Sequence, residues 1–107
     1  MPILEPRTLC ADRLKVLAED KRLQVVRILL EGPKHAGELQ RLVEVEQSLL
    51  SHHLRVLREA GLVTAQRDGK AVLYRVAPDV TVRQEGEAIN LGCCVLAFGD
   101  SPETAEG

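Results

Sequence analysis

A mainly α fold carrying one β-hairpin is predicted for this chain by three observations. In Gln47 to Val63, Leu50, Leu54 and Leu57 recur on one side of a helical period and Gly61 stops the run, the pattern of an amphipathic helix with a glycine end. A shorter periodic stretch, Ala36 to Val43, precedes it across only Glu44 to Glu46, which is helix-turn-helix spacing. Leu62 to Gln66 and Val72 to Val76 then flank Arg67-Asp68-Gly69-Lys70, where Asp-Gly signals a hairpin turn.

Taken in order, Met1 to Thr8 holds two prolines and no period, and reads as an extended arm. Leu9 to Leu17 turns helical, with Leu14 and Leu17 apolar among Asp12, Arg13 and Lys15. A second helix runs from about Lys21 to Glu31, with Val25, Ile28 and Leu29 inward and Gly32-Pro33 closing it. The short third helix carries Leu39 and Leu42. After the hairpin the pattern is ambiguous: Glu85 to Leu91 suits a helix, whereas Cys94 to Phe98 is strand-like. One domain over residues 9–98 is expected, between a flexible arm at 1–8 and a flexible tail at 99–107. At 107 residues the core is small enough that a dimer interface is a natural supplement.

The polar side of the glycine-stopped helix is the most informative surface. Gln47, Ser48, Ser51, His52 and Arg55 gather there, mostly uncharged and rich in donors and acceptors. A merely solvated helix usually carries alternating charges; this set better suits a helix lying in a DNA major groove. The hairpin has two readings as well. It is either a cover for the helices or a wing whose Arg67, Lys70 and Arg75 reach phosphates or the minor groove beside that helix, and its basic character next to a reading helix favours the wing.

A formal net charge of −2 at first argues against nucleic acid. The distribution reverses this: residues 1–75 hold 13 Lys and Arg against 10 Asp and Glu, and residues 76–107 hold one Arg against six acids. Only the local field at a docking face attracts phosphate. So modest an excess implies that two copies act together. No apolar run approaches the ~20 residues of a membrane span, and no signal peptide is visible. The cytoplasm is the expected compartment, and the three cysteines are expected there as reduced thiols. An enzyme has little support, since no nucleophile with its base, phosphate-binding glycine loop or metal-hydrolase motif occurs. No cofactor is expected to be required.

The stretches Leu14 to Leu23 (LKVLAEDKRL), Gly37-Glu38-Leu39, Gln47 to Val63 (QSLLSHHLRVLREAGLV), Arg67 to Lys70 and Tyr74 to Val76 together resemble the ArsR/SmtB family of winged helix-turn-helix repressors, over roughly residues 10–77. The resemblance implies a homodimer, a double-stranded operator with an imperfect inverted repeat as partner, and release from DNA when an effector binds. It places Gln47, Ser48, Ser51 and His52 at operator-facing positions, with His53 beside them. Two positions depart from the pattern. Glu46 stands where a small cap residue is usual and is a poorer N-cap. Leu49 replaces a small hydroxyl residue, and it either meets a thymine methyl or packs on the preceding helix.

The effector has to be read from the ligands available. The family's arsenic and cadmium motif puts two cysteines in the helix before the reading helix, but Glu38 to Glu44 has none. Its zinc pattern near the C-terminus needs histidine, and none follows His53. Cys10, Cys93 and Cys94 remain. Ile89 to Phe98 resembles the C-terminal segment of atypical family members that detect trivalent arsenic, which makes As(III), with Sb(III) as its heavier congener, the implied effector. Three soft thiolates suit such a thiophilic centre. Adjacent side chains diverge on a helix and oppose each other on a strand, so Cys93 and Cys94 share one centre only if the backbone turns there. Cys10 meets the pair of its own chain or of its partner. Two other readings stay open: a thiol-redox or persulfide sensor, and a constitutive DNA-binding protein with structural cysteines.

Overall fold

The computed structural model describes residues 6–83 and 88–97, with side chains from residue 10 onward, excluding that of Arg83. Four helices come first: α1 (Pro6–Leu17), α2 (Asp20–Leu30), α3 (Ala36–Val43) and α4 (Gln47–Glu59). A two-residue strand β1 (Lys34–His35) lies between α2 and α3, and β2 (Val63–Asp68) and β3 (Ala71–Val76) follow α4. These strands form an antiparallel sheet in the order β1-β3-β2. The mainly α fold with a hairpin wing is therefore present.

The helix boundaries follow from local chemistry. Helix α1 begins at Pro6, three residues before the expected start, because proline tolerates the first helical position, where its fixed φ fits and its missing N–H has no helical partner to lose. The rest of the expected arm, residues 1–5, lies outside the described residues, as does the tail at 99–107. Helix α2 is capped by Glu19, whose carboxylate accepts from the N–H groups of Lys21 and Arg22 at 2.8 and 3.1 Å. Helix α3 ends on Glu44, held left-handed at φ 57°, and Lys21 Nζ donates to the orphan Val43 carbonyl at 3.0 Å. Only Val45 and the extended Glu46 then separate Glu44 from α4.

Gly61, at φ 76°, ends α4. The N–H of Leu62 reaches back to Leu57 O at 3.0 Å and that of Gly61 to Arg58 O at 2.9 Å, a Schellman cap in which Leu57 and Leu62 meet, both fully buried. The β2–β3 hairpin closes on Gly69-Lys70, with Asp68 paired to Ala71. Gly69 takes positive φ and Lys70 does not, so glycine occupies the first central position of a II′-type turn rather than the second of the expected Asp-Gly pair.

The core is a leucine–valine cluster in which Leu17, Val25, Val26, Leu39, Leu54 and Leu57 are almost wholly enclosed. Burying each such side chain contributes about 1.5–3 kcal/mol relative to leaving it exposed. Two apolar helix residues lie at the surface: Leu14 is 40% exposed and Leu42 is 55% exposed. On α1 the inward line runs through Arg13 and Leu17.

Beyond the hairpin, three short strands, β4 (Thr81–Arg83), β5 (Ala88–Asn90) and β6 (Val95–Ala97), make a second antiparallel sheet in the order β4-β5-β6. The helical alternative for Glu85 to Leu91 therefore fails over Ala88–Asn90, and residues 85–87 lie outside the described set. Val82, Ile89 and Leu96 are in cross-strand register. Ala88 and Ile89, 2% and 1% exposed, are both buried in β5, whereas Val82 in the outer strand is 47% exposed.

Candidate nucleic-acid interface and thiol cluster

Along α4 the burial pattern divides the helix cleanly. Leu50, His53, Leu54 and Leu57 are buried, while Gln47, Ser48, Ser51, His52 and Arg55 are exposed. Ser48, Ser51, His52 and Arg55 line a shallow groove of about 230 Å³. A second groove of about 500 Å³ between α4 and β2 is lined by Arg55, Arg58 and Thr64 among others. Arg58, one turn beyond Arg55 on the same exposed stripe, was not among the residues read from the sequence, although the helical period that gathers Ser51 and Arg55 also includes it. Glu46 makes no side-chain cap; its carboxylate instead accepts from Ser48 Oγ at 2.9 Å. Leu49 is 44% exposed. In the wing, Arg67, Lys70 and Arg75 are all exposed.

His53 does not share the exposed face on which it was expected. It is 4% exposed, because its position falls on the same side of α4 as Leu50, Leu54 and Leu57. Arg22 Nε donates to His53 Nδ1 at 3.1 Å, so Nδ1 is the bare nitrogen and Nε2 carries the proton. That Nε2 lies 3.8 Å from Glu19 Oε1. Burial holds the His53 pKa below the ordinary imidazole value, reinforced by Arg22 and His52 and opposed by Glu19. Burial pushes the Glu19 carboxyl up, but hydrogen bonds from the Arg22 and Lys21 N–H groups, with the charges of His53 and Arg22, leave it lowered. His53 is therefore a strut between α2 and α4. The signal for it was in the sequence: a histidine three residues after Leu50 and four before Leu57.

A second histidine ties the helices to the wing. His35 Nε2 lies 2.7 Å from Asp68 Oδ2, and the backbone N–H of His35 donates to Glu38 Oε1 at 2.8 Å. The hydrogen bond with Asp68 is the main cause of its raised pKa. His35 thus joins the start of α3 to the end of β2.

The three cysteines come together within one chain. Cys10 and Cys93 form a disulfide with Cα atoms 5.8 Å apart, and Cys94 is a free thiol. Cys94 Sγ lies 2.8 Å from Cys10 Sγ and 4.0 Å from Cys93 Sγ, and all three residues are half-buried. The expectation of three reduced thiols thus differs from the observed bond. The backbone turns where adjacent cysteines require it. Gly92 takes φ 89°, its N–H donates to Asn90 Oδ1 at 2.8 Å, and the Leu91 N–H closes the turn on Cys94 O at 2.8 Å. A Cβ at Gly92 would fall 2.7 Å from Asp79 Oδ2, so space as well as φ demands glycine. Among the described residues this is the one group of three or more Cys, His or acidic side chains able to hold a metal ion, and its donors are all sulfur.

Arg13, one turn along α1 from Cys10, was missed as a site residue. It is 6% exposed and bonded to Asp79, Leu91, Ala60 and Gly61. Its only local cue was a charge on the inward line of a helix.

Residues 19–65 match the model for bacterial regulatory proteins of the arsR family. The chain is 40% identical over 84 residues to the biofilm growth-associated repressor of Agrobacterium fabrum, covering 78% of this chain and 72% of that protein. Over 72 residues it is 43% identical to the Mycobacterium tuberculosis regulator Rv0081, spanning 63% of that protein's length and 65% of its own. Among solved structures it is similar to HlyU from Vibrio cholerae, with TM-score 0.66, 33% identity, and coverage of 70% of this chain and 82% of that one. HlyU is described as a transcriptional activator and has also been solved in reduced form, with TM-score 0.64. The extent and identity of these matches, on a fold of four helices and a hairpin wing, show that the chain belongs to the arsR family of bacterial regulatory proteins.

Proposed function

We propose that the protein is an effector-responsive transcriptional repressor that binds an operator as a homodimer and leaves it when As(III) binds the thiolates of Cys10, Cys93 and Cys94. The observation that carries this reading is the convergence of the three sulfurs, with all ligand atoms within 4.8 Å of one another. Sulfur donors without oxygen or nitrogen ligands favour a soft, thiophilic centre over hard cations. Arsenite takes three thiols in exchange for its three hydroxyls, releasing three waters, and Sb(III) reacts in the same way. The site accepts effector only when the Cys10–Cys93 bond is reduced.

On the DNA side, Gln47, Ser48, Ser51 and His52 read bases in the major groove, with Leu49 available to a thymine methyl. Arg55, Arg67 and Lys70 hold phosphates. The dimer carries two reading helices into successive major grooves of an imperfect inverted repeat. Exposed apolar residues on α1, β4 and β6, namely Leu14, Val82 and Val95, support a second copy covering part of this surface.

A second reading is favoured by the disulfide itself. In it, a peroxide, persulfide or disulfide oxidant takes two electrons and two protons from Cys10 and Cys93, and the resulting cross-link is the signal. Operator binding by reduced protein, titrated with arsenite, zinc, cadmium and a persulfide donor, and repeated with each cysteine changed to Ser, separates the readings. Release by arsenite that requires all three thiols is the expected result. Release that survives joint loss of Cys93 and Cys94 overturns the site, and release by the persulfide donor alone selects the redox reading.

A further inference from the structure

A buried guanidinium is costly unless its donors are satisfied, and Arg13 uses its own on two separate places. Nε donates to Ala60 O at 3.4 Å and Nη2 to Gly61 O at 3.2 Å. Both carbonyls belong to the C-terminal cap of α4, the helix that presents Gln47 to Arg55. Nη1 pairs with Asp79 Oδ2 at 3.0 Å and donates to Leu91 O, the carbonyl directly before Gly92-Cys93-Cys94. The side chain also stands on the same face of α1 as Cys10, three residues away.

Two glycines show how closely the backbone approaches this group from either side. A Cβ on Gly61 would lie 3.2 Å from Nη2, and one on Gly92 would lie 3.3 Å from Nη1. Both take positive φ, so the glycine that ends the reading helix and the glycine that opens the cysteine turn flank one guanidinium.

We propose that Arg13 is the positioning residue that couples the thiol cluster to the reading helix; this rests on the cluster being the effector site. Joining Cys10 to Cys93 and Cys94 fixes α1 against the 91–94 turn, and the guanidinium is then held between that turn and the α4 cap. With the thiols separate, the turn is free to leave α1, and Nη1 loses the Leu91 carbonyl as one of its anchors. The α4 cap hangs on the other donors of the same planar group, so the reading helix is seated differently in the two states. Such a difference is what allows an effector to shift operator affinity.

The test uses full-length protein and Arg13→Lys, which keeps the charge facing Asp79 but lacks the fork needed to hold both carbonyl sets. Operator affinity is measured on reduced protein with and without arsenite, alongside arsenite stoichiometry by thiol titration and a thermal melt. The parent is expected to lose operator affinity by about 5- to 150-fold on binding arsenite, the usual range of allosteric coupling. The variant is expected to bind the same amount of arsenite, yet the ratio of its operator affinities without and with arsenite should be less than about half of the parent's on a logarithmic scale, whatever its affinity without arsenite. By reciprocity, operator DNA should weaken arsenite binding by the same factor in each protein. Full release by Arg13→Lys overturns the proposal.

If the melt shows Arg13→Lys unfolded, Asp79→Asn replaces it. Asp79 is 52% exposed in its side chain, and its loss of charge removes what orients Nη1, so a reduced response is again expected and an unchanged one overturns the idea. If the parent itself ignores arsenite, the effector assignment fails. The coupling is then read between reduced protein and protein cross-linked at Cys10–Cys93 by oxidised glutathione, which accepts the two electrons and two protons. A parent whose operator affinity follows neither change at the cluster overturns the coupling as well.

Discussion

Arg22 donates its Nε–H to Nδ1 of His53 across 3.1 Å, so a permanently charged side chain of α2 is hydrogen-bonded to the buried face of α4. Protonating His53 would replace that acceptor with a second cation. Its lowered pKa means that the stabilisation is complete above the ordinary imidazole value of about 6.5 and is lost as pH falls through the lower folded value. His35 has the opposite sign: its raised pKa gives a contribution present below the ordinary value and lost as pH rises through the folded one. In an NMR titration the His53 ring should titrate below a model imidazole and the His35 ring above it. A His53 ring that titrates at or above the model value is incompatible with the packing described.

The exposed face of α4 leads to a prediction about base reading. Gln47→Ala or His52→Ala should cost roughly 1–3 kcal/mol of operator affinity where a good base contact is lost, with much less effect on scrambled DNA. Parallel titrations on the two DNAs check this. Equal losses on both would reassign these side chains to phosphate positioning.

Neutralising Arg67 or Lys70 should weaken binding on every sequence and lower the slope of log affinity against log salt by about 1. Both are exposed in the hairpin, away from the core, so the fold should be unaffected. An unchanged slope for both variants would mean that the wing does not touch DNA.

The position of Cys94 predicts where a disulfide goes when its first choice is removed. In Cys93→Ser the bond should move to Cys10–Cys94, since those sulfurs already lie 2.8 Å apart, whereas Cys10→Ser should leave no disulfide between the chain's two ends. Peptide mass mapping without reductant after mild oxidation reads both outcomes. A Cys93→Ser protein whose Cys10 stays a free thiol contradicts the cluster.

How much of this was legible before folding depends on how far apart the cooperating residues lie. The helices α2 to α4, their three-residue link and the β2–β3 hairpin are written in local signals: apolar periodicity, Gly61 as a stop, and a glycine turn. The exposed polar set on α4 follows from the same periodicity, since Leu50, Leu54 and Leu57 leave only one side for it. His53 was legible too, but its neighbours in sequence suggested the wrong side, and only the packing of α2 supplied Arg22 and Glu19 to receive it. For the segment after β3, short apolar runs do not distinguish helix from strand, and the register of Val82, Ile89 and Leu96 decided it. Tertiary structure alone brings Cys10 to a pair 83 and 84 residues away, and places one guanidinium between Gly61 and Gly92. Neither has a local period, because a site assembled across the chain depends on how its helices and turns pack, and single residues carry no record of that until the core has formed.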